Sequence, residues 1–108
     1  MAILDVRGRM VIEALDDQPL PQAVRALVRR GTTRILVNLE HVPVVDTTGL
    51  CDVVEAYVAA QRQGAELKLL RPTPHVRHVL DVTRLSTVLD ICESEADALA
   101  RYAVEGAR

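Results

Sequence analysis

The feature that most constrains the fold is a nearly continuous run of apolar and β-branched residues from Arg34 to Leu39. A strand of this composition has no polar side to turn towards water, so both of its faces must be covered, as in a sheet packed by helices. A helical pattern that ends at Gly31 precedes the run, and another that ends before Gly64 follows it. The sequence therefore predicts a central, buried strand flanked along the chain by amphipathic helices.

The rest of the chain continues this alternation of strand-like and helix-like segments. Pro72 and Pro74 punctuate the chain before a short helix, and Ser94 to Asp97 resembles a variant capping box that starts a last helix, with the final residues from Val104 onwards expected to fray. The order favours one α/β domain over residues 1–108, with a mixed or parallel sheet and crossover helices. The predicted strands are residues 3–6, 34–39, 66–70 and 88–91, and residues 8–12 extend or close the first of them. The predicted helices are residues 23–31, 50–61, 76–80 and 94–102.

Composition excludes several classes of function. The 13 basic and 15 acidic residues give a net charge of −2 without a long block of either sign, and the chain has no Trp or Phe for base stacking, so direct binding of nucleic acid is not expected. No apolar run approaches the ~18 residues of a membrane span, and the N-terminus lacks a signal-peptide layout. We therefore expect a cytoplasmic protein without membrane insertion, in which Cys51 and Cys92 are free, partly buried thiols.

The turn after the central strand carries the most chemistry. Asp46, Thr47, Thr48 and Gly49 open a helix, so free backbone N–H groups and the positive end of the helix dipole lie beside two neighbouring hydroxyls. A phosphate would be tolerated there. The alternative is purely structural, because Asp and Thr are preferred helix caps worth ~0.5–2 kcal/mol and Gly49 would ease a tight entry.

The same turn carries a resemblance to a known family. Asp46-Thr47-Thr48-Gly49-Leu50 resembles the Asp-Ser-Ser-Gly-Leu signature of STAS domains, notably those of the anti-sigma factor antagonists. The likeness covers nearly the whole chain. Its other parts are Gly8-Arg9-Met10 at the end of the first strand, residues 35–46, residues 63–70, which are similar to the family's Gly-Gly-x-Leu-x-Leu strand, and residues 79–85, which are similar to its Leu-x-x-Thr-x-Leu turn.

The resemblance implies a partner-switching function. Thr48 stands at the position of the hydroxyl that accepts a phosphoryl group from a kinase, and the unphosphorylated protein would bind that anti-sigma factor kinase through the turn, the following helix and the segment from Pro74 to Leu80, releasing a sigma factor. A phosphatase would reset the cycle. The chain lacks a Gly-x-x-x-x-Gly-Lys-Ser/Thr loop, so ATP and metal belong to the kinase, and we expect no cofactor and no enzymatic activity. The residues expected to contact the partner are Asp46, Thr47, Thr48, Gly49, Leu50 and Val53.

The resemblance also implies a difference at the start of the chain. The family has an additional strand of about ten residues before the one at residues 3–6, and that strand is missing here. The strand at residues 3–6 would then form a sheet edge, which stays exposed or is covered by another chain. Such an edge is a candidate surface for a homodimer.

Other functions remain as alternatives. A STAS subunit can be built into a larger assembly, such as a stressosome-like scaffold or a lipid-transport complex, without phosphate cycling, and a small-ligand or nucleotide sensor is a third possibility. His41, His75 and His78 lack acidic or cysteine ligands at metal-binding spacing, so a metal site is not favoured. Neither threonine has a neighbouring His in sequence to act as a base, which argues against independent catalysis.

Overall fold

The computed structural model describes residues 2–7, 11–12 and 18–106. Three strands precede the first helix, after which helices and strands alternate, and a 3-10 turn at Leu85–Thr87 precedes the last strand. The strands are β1 (Ala2–Arg7), β2 (Val11–Ile12), β3 (Gln18–Pro19), β4 (Arg34–His41), β5 (Glu66–Leu70) and β6 (Asp90–Cys92), and the helices are α1 (Leu20–Arg29), α2 (Thr47–Arg62), α3 (Pro74–Val82) and α4 (Glu95–Gly106).

The described strands form one mixed sheet in the order β3-β2-β1-β4-β5-β6. The strands β1, β4, β5 and β6 are mutually parallel, whereas β2 and β3 pair in antiparallel fashion at the edge. Helices α2 and α3 return the chain between parallel neighbours, as a crossover connection requires. These observations confirm the predicted single α/β domain with a mixed sheet and crossover helices.

One face of the sheet is covered by α1, α2 and α3 and consists of aliphatic side chains. Residues of β4 alternate between the faces, so Ile35, Val37 and Leu39 point into this core and each is at most 1% exposed. Helix α2 contributes Val53, Ala56 and Ala60, spaced three or four residues apart along one side of the helix. The small alanines allow α2 to lie close to the sheet. The other buried members include Leu4, Val6, Leu20, Val24, Leu67, Leu69, Val76 and Leu80.

The opposite face is covered by α4 over β5 and β6. Tyr102 is buried, and its hydroxyl donates a hydrogen bond of 2.7 Å to the carbonyl of Ile35. The Lys68 side chain is also buried, with its Nζ 2.5 Å from Asp90 Oδ2 and 4.9 Å from the centre of the Tyr102 ring. A buried ammonium needs such partners because removal from water is costly. Tyr102 therefore both anchors α4 and covers the Lys68 end of the ion pair, whereas the Asp90 end remains half exposed.

Most predicted elements are confirmed, with corrections near both ends of the chain. Val88 and Leu89 do not belong to the last strand, which begins at Asp90, because Arg84 adopts a left-handed conformation (φ 63°) and starts the 3-10 turn. Helix α4 runs to Gly106 rather than ending near Tyr102. The Gly8-Arg9-Met10 segment lies outside the described residues, while Val11–Ile12 forms the separate strand β2. Cys51 is exposed and Cys92 is buried, and both are free thiols.

On the side of β1 that faces away from β4, the described sheet continues with β2 and then β3. On that side β1 pairs in register with β2 only at Arg7 and Val11. The strand at residues 3–6, which the sequence predicted as the sheet edge, is therefore not the outermost strand of the described sheet.

Candidate functional site

The hydroxyl-rich turn lies at the carboxyl edge of the parallel strands, between the end of β4 and the start of α2. This edge is where open α/β sheets most often place their functional groups. The loop that leads into the turn is anchored, because the Thr73 hydroxyl donates a hydrogen bond of 2.9 Å to the carbonyl of Val42 and lies 3.3 Å from that of Pro43. The start of α3 thus holds the approach to the turn in place.

Asp46 is the N-cap of α2. Its backbone is extended, and its Oδ1 accepts a hydrogen bond of 2.8 Å from the N–H of Gly49, while its carbonyl accepts one of 2.9 Å from the N–H of Leu50. The predicted capping role of Asp46 is therefore confirmed. Because a carboxylate performs the capping, neither threonine hydroxyl is needed for it. The backbone N–H groups of Thr47 and Thr48 fall in the first turn, where a helix has no acceptor for them.

The predicted contact residues differ in their access to solvent. Asp46, Thr47 and Thr48 are exposed, and neither threonine hydroxyl has a hydrogen-bond partner among residues 2–7, 11–12 and 18–106. Leu50 is half-buried. Gly49 is buried and Val53 is only 3% exposed, because both lie on the side of α2 that faces the sheet. The predictions that Gly49 and Val53 contact a partner are therefore wrong, since Gly49 is buried and the Val53 side chain packs in the core.

Acidic side chains accompany Thr48 along α2. Asp52 and Glu55 follow it by four and seven residues, which places all three on one side of the helix. Partial burial raises the pKa of Asp52, and the nearby carboxylates of Glu55 and Asp46 raise it further. We call Asp46, Asp52 and Glu55 the acidic patch. A phosphate on Thr48 would add roughly −1.5 to −2 charges to this patch.

A polar network that the sequence analysis missed lies on the neighbouring strands. Asn38 is 5% exposed, and its Nδ2 donates hydrogen bonds of 2.8 Å to Asp5 Oδ1 and 3.1 Å to Glu40 Oε1. The hydrogen bonds from Asn38 and Arg71 hold the pKa of Glu40 below its ordinary value. Arg71 reaches Glu40 at 3.2 Å from a backbone with φ of 46°, which is uncommon for a residue with a side chain. The network ties the ends of β1, β4 and β5 together.

The histidines do not assemble into a metal site. His41 lies at the end of β4 with its Nε2 3.4 Å from Glu40, whereas His75 and His78 lie on α3. Within the described ranges, no group of three or more His, Cys, Asp or Glu side chains is arranged to hold a metal ion. Nor does any helix there have the length and apolar character needed to cross a bilayer.

Comparison with known proteins decides the family. The sequence profile of the STAS domain matches residues 7–98. The chain belongs to the STAS domain family. This STAS domain is 26% identical over 83 residues to a protein of Paenibacillus polymyxa named anti-sigma F factor antagonist, a match that covers 77% of this chain and 71% of the relative.

Solved structures show that the fold is shared as well. The anti-sigma factor antagonist SpoIIAA in its unphosphorylated form superimposes with a TM-score of 0.70 at 20% identity, covering 94% of this chain and 86% of the other. SpoIIAA of Bacillus in its phosphorylated form gives a TM-score of 0.66 at 20% identity, with 93% and 88% covered. The arrangement of sheet and helices described above is therefore that of a STAS domain.

Proposed function

We propose that this STAS domain is an anti-sigma factor antagonist that binds an anti-sigma factor kinase and releases a sigma factor, and that phosphorylation of Thr48 switches the interaction off. The observation that carries the proposal is the exposed Thr48 hydroxyl in the first turn of α2, where Asp46 caps the helix. The name of the Paenibacillus relative and the phosphorylated form of SpoIIAA support it.

In the proposed reaction Thr48 is the nucleophile and the domain is a substrate rather than an enzyme. Its Oγ1 forms a bond to the γ-phosphorus of ATP, the bond from that phosphorus to the ADP oxygen breaks, and the hydroxyl proton passes to a base of the kinase. The kinase supplies ATP and its metal ion, which places the reaction in the cytoplasm, and a phosphatase would return Thr48 to the free hydroxyl.

The acidic patch explains how one phosphate could end the complex. The free N–H groups of Thr47 and Thr48 and the helix dipole tolerate a phosphate, so the fold survives the modification. The kinase surface, however, would then face the phosphate together with Asp52 and Glu55. Acidic groups of a partner that tolerate the hydroxyl would be repelled by this combined charge. We propose Asp46, Thr47, Thr48 and Leu50 as the contacts at the turn.

The experiment compares Thr48→Ala with Thr47→Ala in the native cells and with the purified kinase. Intact-mass analysis and phosphosite mapping are expected to find one phosphate in the wild type and in Thr47→Ala, and none in Thr48→Ala. Circular dichroism should show all three proteins folded, because both hydroxyls are exposed. A phosphate that remains in Thr48→Ala, or one mapped to Thr47, would contradict the assignment.

We further propose, from the sheet edge that the family resemblance implies at β1, that two copies pair along this strand to form a homodimer. Ile3 lies on this strand and is 39% exposed, so Ile3→Lys would add a charge to the edge without disturbing the core. Sedimentation velocity is expected to show a dimer for the wild type and a monomer for Ile3→Lys. A wild-type protein that sediments as a monomer at all concentrations would refute the dimer.

A further inference from the structure

A second surface lies between α1 and α2, towards the carboxyl ends of both helices. It is an open groove of about 580 Å³, which we call the α1–α2 groove. Its floor is aliphatic, and Val58 remains 38% exposed there although it is a large apolar side chain. The groove is lined by Arg25, Val28, Arg29, Val54, Glu55, Val58, Ala59, Arg62 and Gln63.

The rim of the groove is basic although the chain as a whole carries a net charge of −2. Three arginines and one glutamate line it, which leaves an excess of two positive charges. Arg25 and Glu55 form an ion pair 4.0 Å long, and both side chains are more than half exposed. Such a pair is worth little, so these groups can exchange partners at small cost.

The helix dipole accounts for only part of this arrangement. Arg29 and Arg62 lie in the last turns of their helices, where positive charge is stabilising. Arg25 lies in the middle of α1, where the helix dipole has little effect. The dipole also gives no reason for the exposed apolar floor beneath the arginines. The combination of an apolar floor and a basic rim is what an amphipathic acidic segment complements.

We propose that the α1–α2 groove binds an amphipathic helix of a partner protein that carries Asp or Glu on both flanks of an apolar stripe. Apolar residues at spacings of three and four would pack on Val54, Val58 and Ala59, and the flanking carboxylates would pair with the arginines. The floor contains no aromatic ring, so it offers no stacking surface for the bases of a nucleic acid. A free phosphate could pair with the arginines, but it would leave the apolar floor exposed to water, so it fits the groove less well than the helix does.

The centre of this groove is distant from the turn that contains Thr48, although Glu55 belongs to both the groove lining and the acidic patch. Val58 follows Thr48 by ten residues on α2, which corresponds to about 15 Å along the helix axis. That separation exceeds the Debye length of about 8 Å at physiological ionic strength. The charge of a phosphate on Thr48 is therefore largely screened at the centre of the groove, and the inference does not rest on the proposed function.

The test is selection from a displayed library of random helical peptides on the purified full chain. We expect the enriched peptides to be acidic and amphipathic, and to lose roughly tenfold or more in affinity when the chain carries Val58→Asp or Arg29→Glu. The matched controls are Leu99→Asp, which changes an exposed residue of α4, and Arg30→Glu, which changes the neighbouring arginine outside the groove lining. Both controls and Thr48→Glu should bind the peptides as the wild type does.

Several results would overturn the inference. These are the absence of any enriched peptide, enrichment of basic or uncharged peptides, and equal binding by Val58→Asp. Vesicles containing phosphatidylserine form a further arm. If the vesicles bind the wild type but not the Arg29→Glu variant, and no peptide is enriched, the groove faces a lipid surface and the proposed occupant is wrong.

Discussion

The starts of α2 and α4 illustrate two uses of the same local chemistry. Each helix begins with hydroxyl and carboxylate side chains close to the end of a parallel strand. At α4 the Ser94 hydroxyl accepts a hydrogen bond of 3.0 Å from the N–H of Asp97, and Asp97 accepts one of 3.3 Å from the N–H of Glu93. At α2 Asp46 alone caps the helix, and the hydroxyls of Thr47 and Thr48 remain exposed.

The charges around the two helix starts also differ, as the hydrogen bonds do. Arg101 lies 3.2 Å from Asp97, so the carboxylate at the start of α4 has a basic partner four residues later. Asp52 occupies the corresponding place after Thr48, so α2 accumulates negative charge where α4 balances it. The start of α4 is complete as a structural unit, whereas the start of α2 leaves two exposed hydroxyls and a carboxylate, Asp52, that has no basic partner among the described residues.

The largest difference should appear when negative charge is added to the second residue of each helix. Thr48→Glu is expected to weaken binding of the partner kinase roughly tenfold or more, because the new carboxylate joins the acidic patch. Ala96→Glu makes the same kind of change in α4 and should leave that affinity unchanged. Isothermal titration calorimetry would measure both, and equal affinities for the two variants would remove the functional distinction between the helix starts.

The next difference concerns the caps. Ser94→Ala should lower the free energy of unfolding by about 1 kcal/mol, since it removes the hydrogen bond to the Asp97 N–H. Asp46→Ala loses its bond to Gly49 but also relieves repulsion of Asp52, so its cost should be smaller by about 0.2–0.5 kcal/mol. Urea denaturation of the purified variants gives both values. A larger loss of unfolding free energy for Asp46→Ala than for Ser94→Ala would show that repulsion within the acidic patch does not destabilise the domain.

A smaller effect should come from Asp52 itself. Asp52→Asn is expected to stabilise the domain by about 0.2–0.5 kcal/mol near neutral pH, because it removes a partly buried charge beside Glu55 and Asp46. The raised pKa of Asp52 means that the folded state holds its proton more tightly, so its contribution to stability falls as pH rises through that pKa. Thermal melts of the wild type and Asp52→Asn at a series of pH values should converge on acidification.

The smallest effect is a local response to acid at α4. The hydrogen bonds from the Glu93 N–H and from Arg101 hold the pKa of Asp97 below its ordinary value. Its contribution is therefore present above the unfolded pKa and is lost as pH falls through the lowered one. Amide exchange followed by NMR should show fraying at Glu93 to Asp97 at low pH, while α2 shows the opposite trend through Asp52. Parallel behaviour of the two starts would argue against their electrostatic difference.

The sequence predicted most of the fold because local patterns specify it. The apolar run of β4, the glycine after α1 and the capping residues of α4 are short-range signals, and the structure confirms them. The predicted start of β6 was wrong because Arg84 adopts a left-handed conformation. Residues other than glycine rarely do so, and nothing in the sequence marks Arg84 as an exception. Helical spacing from Thr48 would have shown the acidic patch, since Asp52 and Glu55 follow it at four and seven residues.

Contacts between segments that are distant in sequence could not be predicted from local patterns. Asn38 and Asp5 are 33 residues apart, and nothing local marks them as hydrogen-bond partners. The α1–α2 groove likewise needs two helices to lie side by side before its floor and rim exist. The prediction for Val53 failed for a related reason. Proximity in sequence to the turn suggested access to a partner, whereas the helical period turns this residue towards the sheet.

The hydroxyl of Thr73 has a consequence for how a kinase would recognise this protein. By holding the carbonyls of Val42 and Pro43, it fixes the path of the chain into the turn from a segment some 30 residues away. Thr48 is thus presented by the assembled domain and not by the linear motif around it. A synthetic peptide of residues 42–53 should be a poor phosphoacceptor, and the specificity of signalling would reside in tertiary structure, where unfolding erases it.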